Sequence, residues 1–102
     1  MRQPRQLNTT NQFEKEVLLA KKRGKDLAKL RSVIDLLLHR APLPNKLRDH
    51  GLQGQYQNYR DLHIEPDWLL IYRANAEELW LVRTGSHFDL FGNIDPLRKT
   101  VY

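Results

Sequence analysis

A chain of 102 residues and 12.1 kDa has room for one hydrophobic core, so a single domain over residues 1–102 is expected. The 17 lysines and arginines against 12 aspartates and glutamates give a net charge of +5, which favours RNA, DNA, a ribosome or an acidic protein as partner without choosing among them. With no cysteine, disulfides, cysteine-ligated zinc and thiol nucleophiles are excluded, and a polar amino terminus with short apolar runs predicts a soluble cytoplasmic chain, neither exported nor membrane-bound.

The pattern changes from helical to extended near residue 42. Residues 5–9 could form a short edge strand, and Asn11 with Glu14 three positions later resembles a capping box opening a helix over about 12–23. Phe13, Val17 and Ala20 share one face of it, Lys21, Lys22 and Arg23 complement the dipole of its last turn, and Gly24 supplies the left-handed stop. A second helix over about 26–39 carries a wide apolar stripe from Leu27 to Leu38, and the short joint predicts an antiparallel helical hairpin. His39 at its end suits the dipole as a surface cation.

Pro42 and Pro44 stop the hairpin, and apolar bursts over 59–64, 68–72 and 79–84 predict three antiparallel strands. The expected fold class is therefore α+β, a helical hairpin packed on an antiparallel sheet of about four strands, counting the amino-terminal edge. Alternation over 59–64 puts Leu62 and Ile64 on the helix-covered face and Asp61 and His63 on a face open for polar work. Trp68 and Trp80 lie inside apolar strands and are read as packing residues ahead of base-stacking ones.

Three of four histidines, His50, His63 and His87, accompany Asp67 and Arg83 in this second half. Imidazoles with an unperturbed pKa of roughly 6.5 can take and give protons near neutrality, and arginine can hold charge building on a phosphate. That kit suits RNA cleavage without a metal or cofactor. The histidine spacings match no standard metal-ligand motif. Asp67 also suits a turn after Pro66, and Arg83 a surface ion pair with Asp61.

At DHGLQG (49–54), YRDLHIEPDWLLIY (59–72) and LVRTGSHFDLFG (81–92) the chain resembles the YafQ-like branch of the RelE/ParE toxin superfamily. The resemblance implies a RelE-like fold and a ribosome-dependent mRNA endoribonuclease neutralised by a cognate antitoxin in a hetero-oligomer. It also implies an active site of His50, His63, Asp67, Arg83 and His87, with Phe91 as a base-contacting ring in a loop. Such a site would cut through attack of the RNA 2′-hydroxyl, with His50 or His63 helped by Asp67 as base and His87 as acid, labels that could be exchanged. The tail 93–102 runs past the usual family end, and no role is inherited by Lys99 or Tyr102.

The run Lys21, Lys22, Arg23, Lys25, Lys29 and Arg31 is either a solvated helix face or a dock for ribosomal RNA. The antitoxin is expected to be acidic where it binds, wrapping the helices or covering the polar sheet face. Two rival readings are a non-enzymatic toxin of the same scaffold, of the gyrase-poison kind, and a basic RNA-binding regulator. Neither requires the histidine set.

Overall fold

Thr10 sets the path of the amino-terminal third. The computed structural model, which describes residues 2–92, places strand β1 (Gln6–Thr9) before it and helix α1 (Asn11–Lys22) after it. The Thr10 hydroxyl accepts from the Phe13 N–H and donates to the Val82 carbonyl at 2.7 Å, capping the helix and fastening it to the sheet with one side chain. Asn11, the expected cap, is instead the first helical residue, and Glu14 accepts from the Thr9 hydroxyl. Gly24, at φ +82°, makes the left-handed stop, and Asp26 caps α2 (Leu27–Leu38) by accepting from the Ala28 N–H.

Strands β2 (His50–Gly51), β3 (Arg60–Glu65), β4 (Trp68–Ala74) and β5 (Glu78–Gly85) join β1 in one sheet of order β1-β5-β4-β3-β2. The expectation of an antiparallel sheet of about four strands is corrected in two respects. The sheet has five strands, and β1 runs parallel to β5, making it mixed. Two helices separate β1 from the meander, so it returns to the β5 edge through a crossover, which no local turn signal announces. The strand β2 has only two residues, too few for an alternation to register.

Phe13, Ala20, Leu30, Val33 and Leu37 of the helices pack on Leu62, Trp68, Leu70, Tyr72, Leu79 and Leu81 of the sheet. Burial of this kind contributes roughly 1.5–3 kcal/mol per large side chain. Trp68 is fully buried as expected, its indole N–H donating to the Thr84 hydroxyl, whereas Trp80 is only partly covered. The opposite face carries a second cluster, Leu52, Leu69, Ile71, Leu90 and Phe91, so it is apolar along its centre and polar at its flanks.

Two irregularities decide which side chains reach that second face. Tyr72 pairs with Leu81 but Ile71 with Arg83, so Val82 is an extra residue in β5. Leu79 and Leu81 face the helices, and uninterrupted alternation would send Arg83 there too. The bulge reverses the phase, bringing Thr84 to the buried side and Arg83 opposite Ile71 on the other. A similar shift between His63 and Glu65 ends β3 at the turn that carries Asp67.

No helix among the described residues is long and apolar enough to cross a membrane. The tail 93–102, with Lys99 and Tyr102, lies outside the described residues.

Candidate active site

The second face gathers the three histidines from three elements. His63 stands two residues beyond Asp61 on β3, His50 on β2 pairs across from Asp61, and His87 opens the short helix α3 (His87–Phe91). The His50 and His63 ring centroids are 6.4 Å apart and those of His63 and His87 5.5 Å, making His63 the middle ring of a row.

Helix α3 was not expected, although its signal is present: Ser86 with Asp89 three residues on is a capping box, and both reciprocal bonds form. Arg23 clamps Asp89 at 2.5 Å, and Arg23 together with the Ser86 bonds holds that carboxyl low, near pKa 2. These contacts fix the helix start and therefore the His87 ring. The chain between β3 and β4 supplies the other constraint: Asp67 Oδ1 accepts from the His87 main-chain N–H at 2.8 Å and from Nδ1 at 2.5 Å. The bonds from His87 hold the Asp67 pKa down, so it stays ionised. Asp67 is thus both the turn residue and the partner of a histidine.

His50 is held from both ends. Its Nδ1 lies 2.8 Å from the Arg48 carbonyl, which can only accept, and its Nε2 lies 3.1 Å from Asp61 Oδ1. Next to it, Asp49 accepts from Arg60 at 2.8 Å and from the Tyr72 hydroxyl, tying the short β2 to the sheet. Burial lowers the His63 pKa, with the neighbouring His87 adding to the effect and a backbone hydrogen bond at Leu47 opposing it.

Arg83 does not pair with Asp61. Its Nη2 meets Glu16 Oε2 at 2.5 Å and its Nη1 lies 3.3 Å from the Tyr56 hydroxyl, and Glu16 raises its pKa further, fixing the charge. Glu16 also accepts from the Thr84 N–H, occupying the β5 edge beyond the end of β1. Phe91 is likewise corrected: it belongs to α3, not to a loop, and its ring is 8% exposed, edge-on to Tyr56 at 5.9 Å. The exposed aromatic of this helix is Phe88.

The basic run divides. Lys25 and Lys29 both hold Glu65, at 2.9 and 2.8 Å, and Arg23 is committed to Asp89. Lys21, Lys22 and Arg31 are exposed. A cleft of about 760 Å³ runs beside the histidine row, between α2, the 44–48 loop and β3, with Lys29, Lys46 and Arg48 on its walls and His63 and His87 at one end.

A family model described as bacterial toxin of type II toxin–antitoxin system, YafQ, matches residues 5–92. The chain belongs to the YafQ toxin family. The mRNA interferase toxin YafQ of Escherichia coli K12 is 46% identical over 89 residues, covering 86% of this chain and 97% of the relative. A crystal structure of YafQ from Escherichia coli BL21(DE3) has a TM-score of 0.83 at 45% identity, covering 86% of this chain and 99% of that one. A chain of the Escherichia coli DinJ–YafQ toxin–antitoxin complex has a TM-score of 0.81 at 46% identity, covering 87% and 99%. The expected RelE-like α+β fold stands, with the sheet corrected as above.

For this YafQ family member the structure brings His50, His63, Asp67 and His87 into one row and sets Arg83 across the apolar centre of the face. Sequence reasoning set Asp61 on the face of His63 but missed Glu16 and Tyr56 as neighbours of the set. For Glu16 a signal existed: it falls between Phe13 and Ala20 at helical spacing, a charge on the buried side of α1.

Proposed function

We propose that this chain is the toxin of a type II toxin–antitoxin pair and an endoribonuclease that cuts mRNA on the ribosome by acid–base catalysis. The observation that carries the reading is the histidine row, with ring centroids 6.4 and 5.5 Å apart, flanked by a carboxylate-bound ring at one end.

In the reaction, His63 or His50 removes the 2′-hydroxyl proton and O2′ attacks the adjacent phosphorus. His87 gives a proton to O5′ as the P–O5′ bond breaks, leaving a 2′,3′-cyclic phosphate and a 5′-hydroxyl. Asp67 acts through His87: with Nδ1 committed to the carboxylate, Nε2 is the nitrogen that exchanges the proton with substrate. The lowered His63 pKa favours the neutral ring that a base needs. Arg83, fixed by Glu16, meets the charge on the nonbridging oxygens, and Phe91 with Tyr56 forms a ring wall for a base.

The name mRNA interferase carried by the Escherichia coli relative supports the enzymatic reading over a toxin that acts by binding alone. The DinJ–YafQ complex supports a cognate antitoxin as partner, which a net charge of +5 expects to be acidic at the contact. A substrate held on ribosomes places the work in the cytoplasm. Exposed Lys21, Lys22 and Arg31 suit contact with ribosomal RNA, while Arg23, Lys25 and Lys29 are occupied in part by carboxylates of the chain itself.

End-group analysis of the cut mRNA tests the chemistry. The expected ends are a 2′,3′-cyclic phosphate and a 5′-hydroxyl; 5′-phosphate and 3′-hydroxyl ends would mean that water, not the 2′-hydroxyl, is the nucleophile.

A further inference from the structure

The cleft beside the histidine row takes no part in the reaction above, although its walls combine two chemistries. Its volume of about 760 Å³ falls within the roughly 300–1,000 Å³ of ordinary ligand sites. Leu36 of α2 and Ile64 of β3, both only half-buried, supply apolar lining. Lys46 and Arg48, both exposed, supply positive charge from the 44–48 loop.

That charge is not cancelled within the chain. Glu65 is the one carboxylate of the wall, and Lys25 and Lys29 hold its two oxygens at 2.9 and 2.8 Å. Lys46 and Arg48 join no salt bridge among the described residues. Apolar lining beside unspent cations suits a nucleotide, whose flat base carries a phosphate on its sugar, better than a lone anion or an apolar peptide.

The loop that carries these cations is bonded to the histidine row. One 3₁₀ turn over Asn45–Leu47 sets Leu47 into the core, and Arg48 then turns the chain at φ +50°, an uncommon conformation for a residue with a side chain. From there its carbonyl accepts from His50 Nδ1 at 2.8 Å, and a backbone hydrogen bond joins Leu47 to His63. The Arg48 charge is also among those that hold the His63 pKa down, so the guanidinium is within electrostatic reach of the middle ring. The direction of the cleft follows from its end: His63 and His87 line it, and His50, at the other end of the row, does not. Because His87 protonates O5′, chain passing beyond it is the nucleotide joined through that oxygen.

We propose that this cleft seats the mRNA nucleotide on the leaving side of the cut, with its base against Leu36 and Ile64 and its 3′-phosphate on Lys46 and Arg48. The inference rests on the proposed reaction for the direction of the strand. It makes Lys46 and Arg48 substrate-binding residues, distinct from Arg83, which meets the phosphate that reacts.

The test is single-turnover cleavage of ribosome-bound mRNAs in which one linkage at a time, on either side of the cut, is a neutral methylphosphonate. With wild type, a neutral linkage one nucleotide 3′ of the cut should slow cleavage by about tenfold, the scale of a charged hydrogen bond. Arg48→Gln should slow cleavage of the unmodified mRNA by a similar factor and lose nothing further at that linkage, whereas Arg48→Lys, which keeps the charge, should recover most of the rate. Lys46→Gln, at a position with no unusual backbone, should blunt the same linkage and serves if Arg48→Gln does not fold. Losses that multiply at that linkage, or coupling found only 5′ of the cut, would overturn the proposal, as would an Arg48→Gln that cuts normally and loses only antitoxin affinity. A wild type that leaves every mRNA intact would overturn the nuclease reading; the methyl signals of Leu36 and Ile64 in the presence of a short RNA, 2′-deoxy at the cut position, then decide the cleft, with shifts keeping it as an RNA site and unmoved signals overturning it.

Discussion

His87 and Asp67, 20 residues apart in the chain, are joined twice: one carboxylate oxygen accepts from both the main-chain N–H and the Nδ1 of the same histidine. The first bond fixes where α3 begins and the second fixes the ring's tautomer and direction, so a single turn residue sets position and protonation together. Asp67→Ala should lower single-turnover cleavage by roughly 10²-fold, the scale of one acid–base contribution. Because the Asp67 side chain is 67% exposed, its melting temperature should stay near that of the wild type. Normal cleavage by this variant would remove Asp67 from the mechanism.

The pH dependence follows from two shifts. The bonds from His87 hold the Asp67 pKa below the usual carboxylate value, so it remains charged throughout the working range. Burial lowers the His63 pKa, so its ring stays neutral to below the ordinary histidine value of roughly 6.5 and is lost as a base only as pH falls further. The cleavage rate should therefore hold at pH 6.5 and fall below it. A rate already declining between pH 8 and 7 would contradict a base with a lowered pKa.

Glu16 and Arg83 predict a variant that loses stability and activity together. The carboxylate is 9% exposed and accepts from both Arg83 and the Thr84 N–H, so Glu16→Gln leaves a part-buried guanidinium without its counter-charge. Removing one partner of such a pair costs about 2–3 kcal/mol, measurable by denaturant unfolding. Cleavage should fall as well, because Arg83 loses the contact that aims it. Unchanged stability would show that the pair contributes nothing to the fold.

The two phenylalanines of α3 should separate. Phe91 is packed among Leu52, Leu69, Ile71 and Leu90, so Phe91→Ala should cost about 3 kcal/mol or more, as for other buried aromatics. Phe88 is 72% exposed, and Phe88→Ala should change stability little. Equal melting temperatures for Phe91→Ala and wild type would contradict its place in the second apolar cluster.

Much of this architecture was legible because it is written in local patterns. The α2 stripe, the Gly24 stop and the apolar bursts of β3, β4 and β5 each report their own element. The parallel pairing of β1 with β5 is long-range and left no local mark. The bulge at Val82 moved Arg83 off the helix-facing side against the alternation of its strand, so its contacts with Glu16 and Tyr56 could not be read from the strand period. His50, His63, Asp67 and His87 were nameable from their motifs and alternation set Asp61 beside His63, but the complete burial of Asp61 is not reported by residue order.

The most direct test of the central claim is primer-extension mapping of a defined mRNA in a reconstituted translation system, wild type against His87→Ala. The account predicts cuts within codons that require ribosomes and vanish in the variant, which still binds its antitoxin. Translation arrest on intact mRNA, or cuts that persist in His87→Ala, would contradict it.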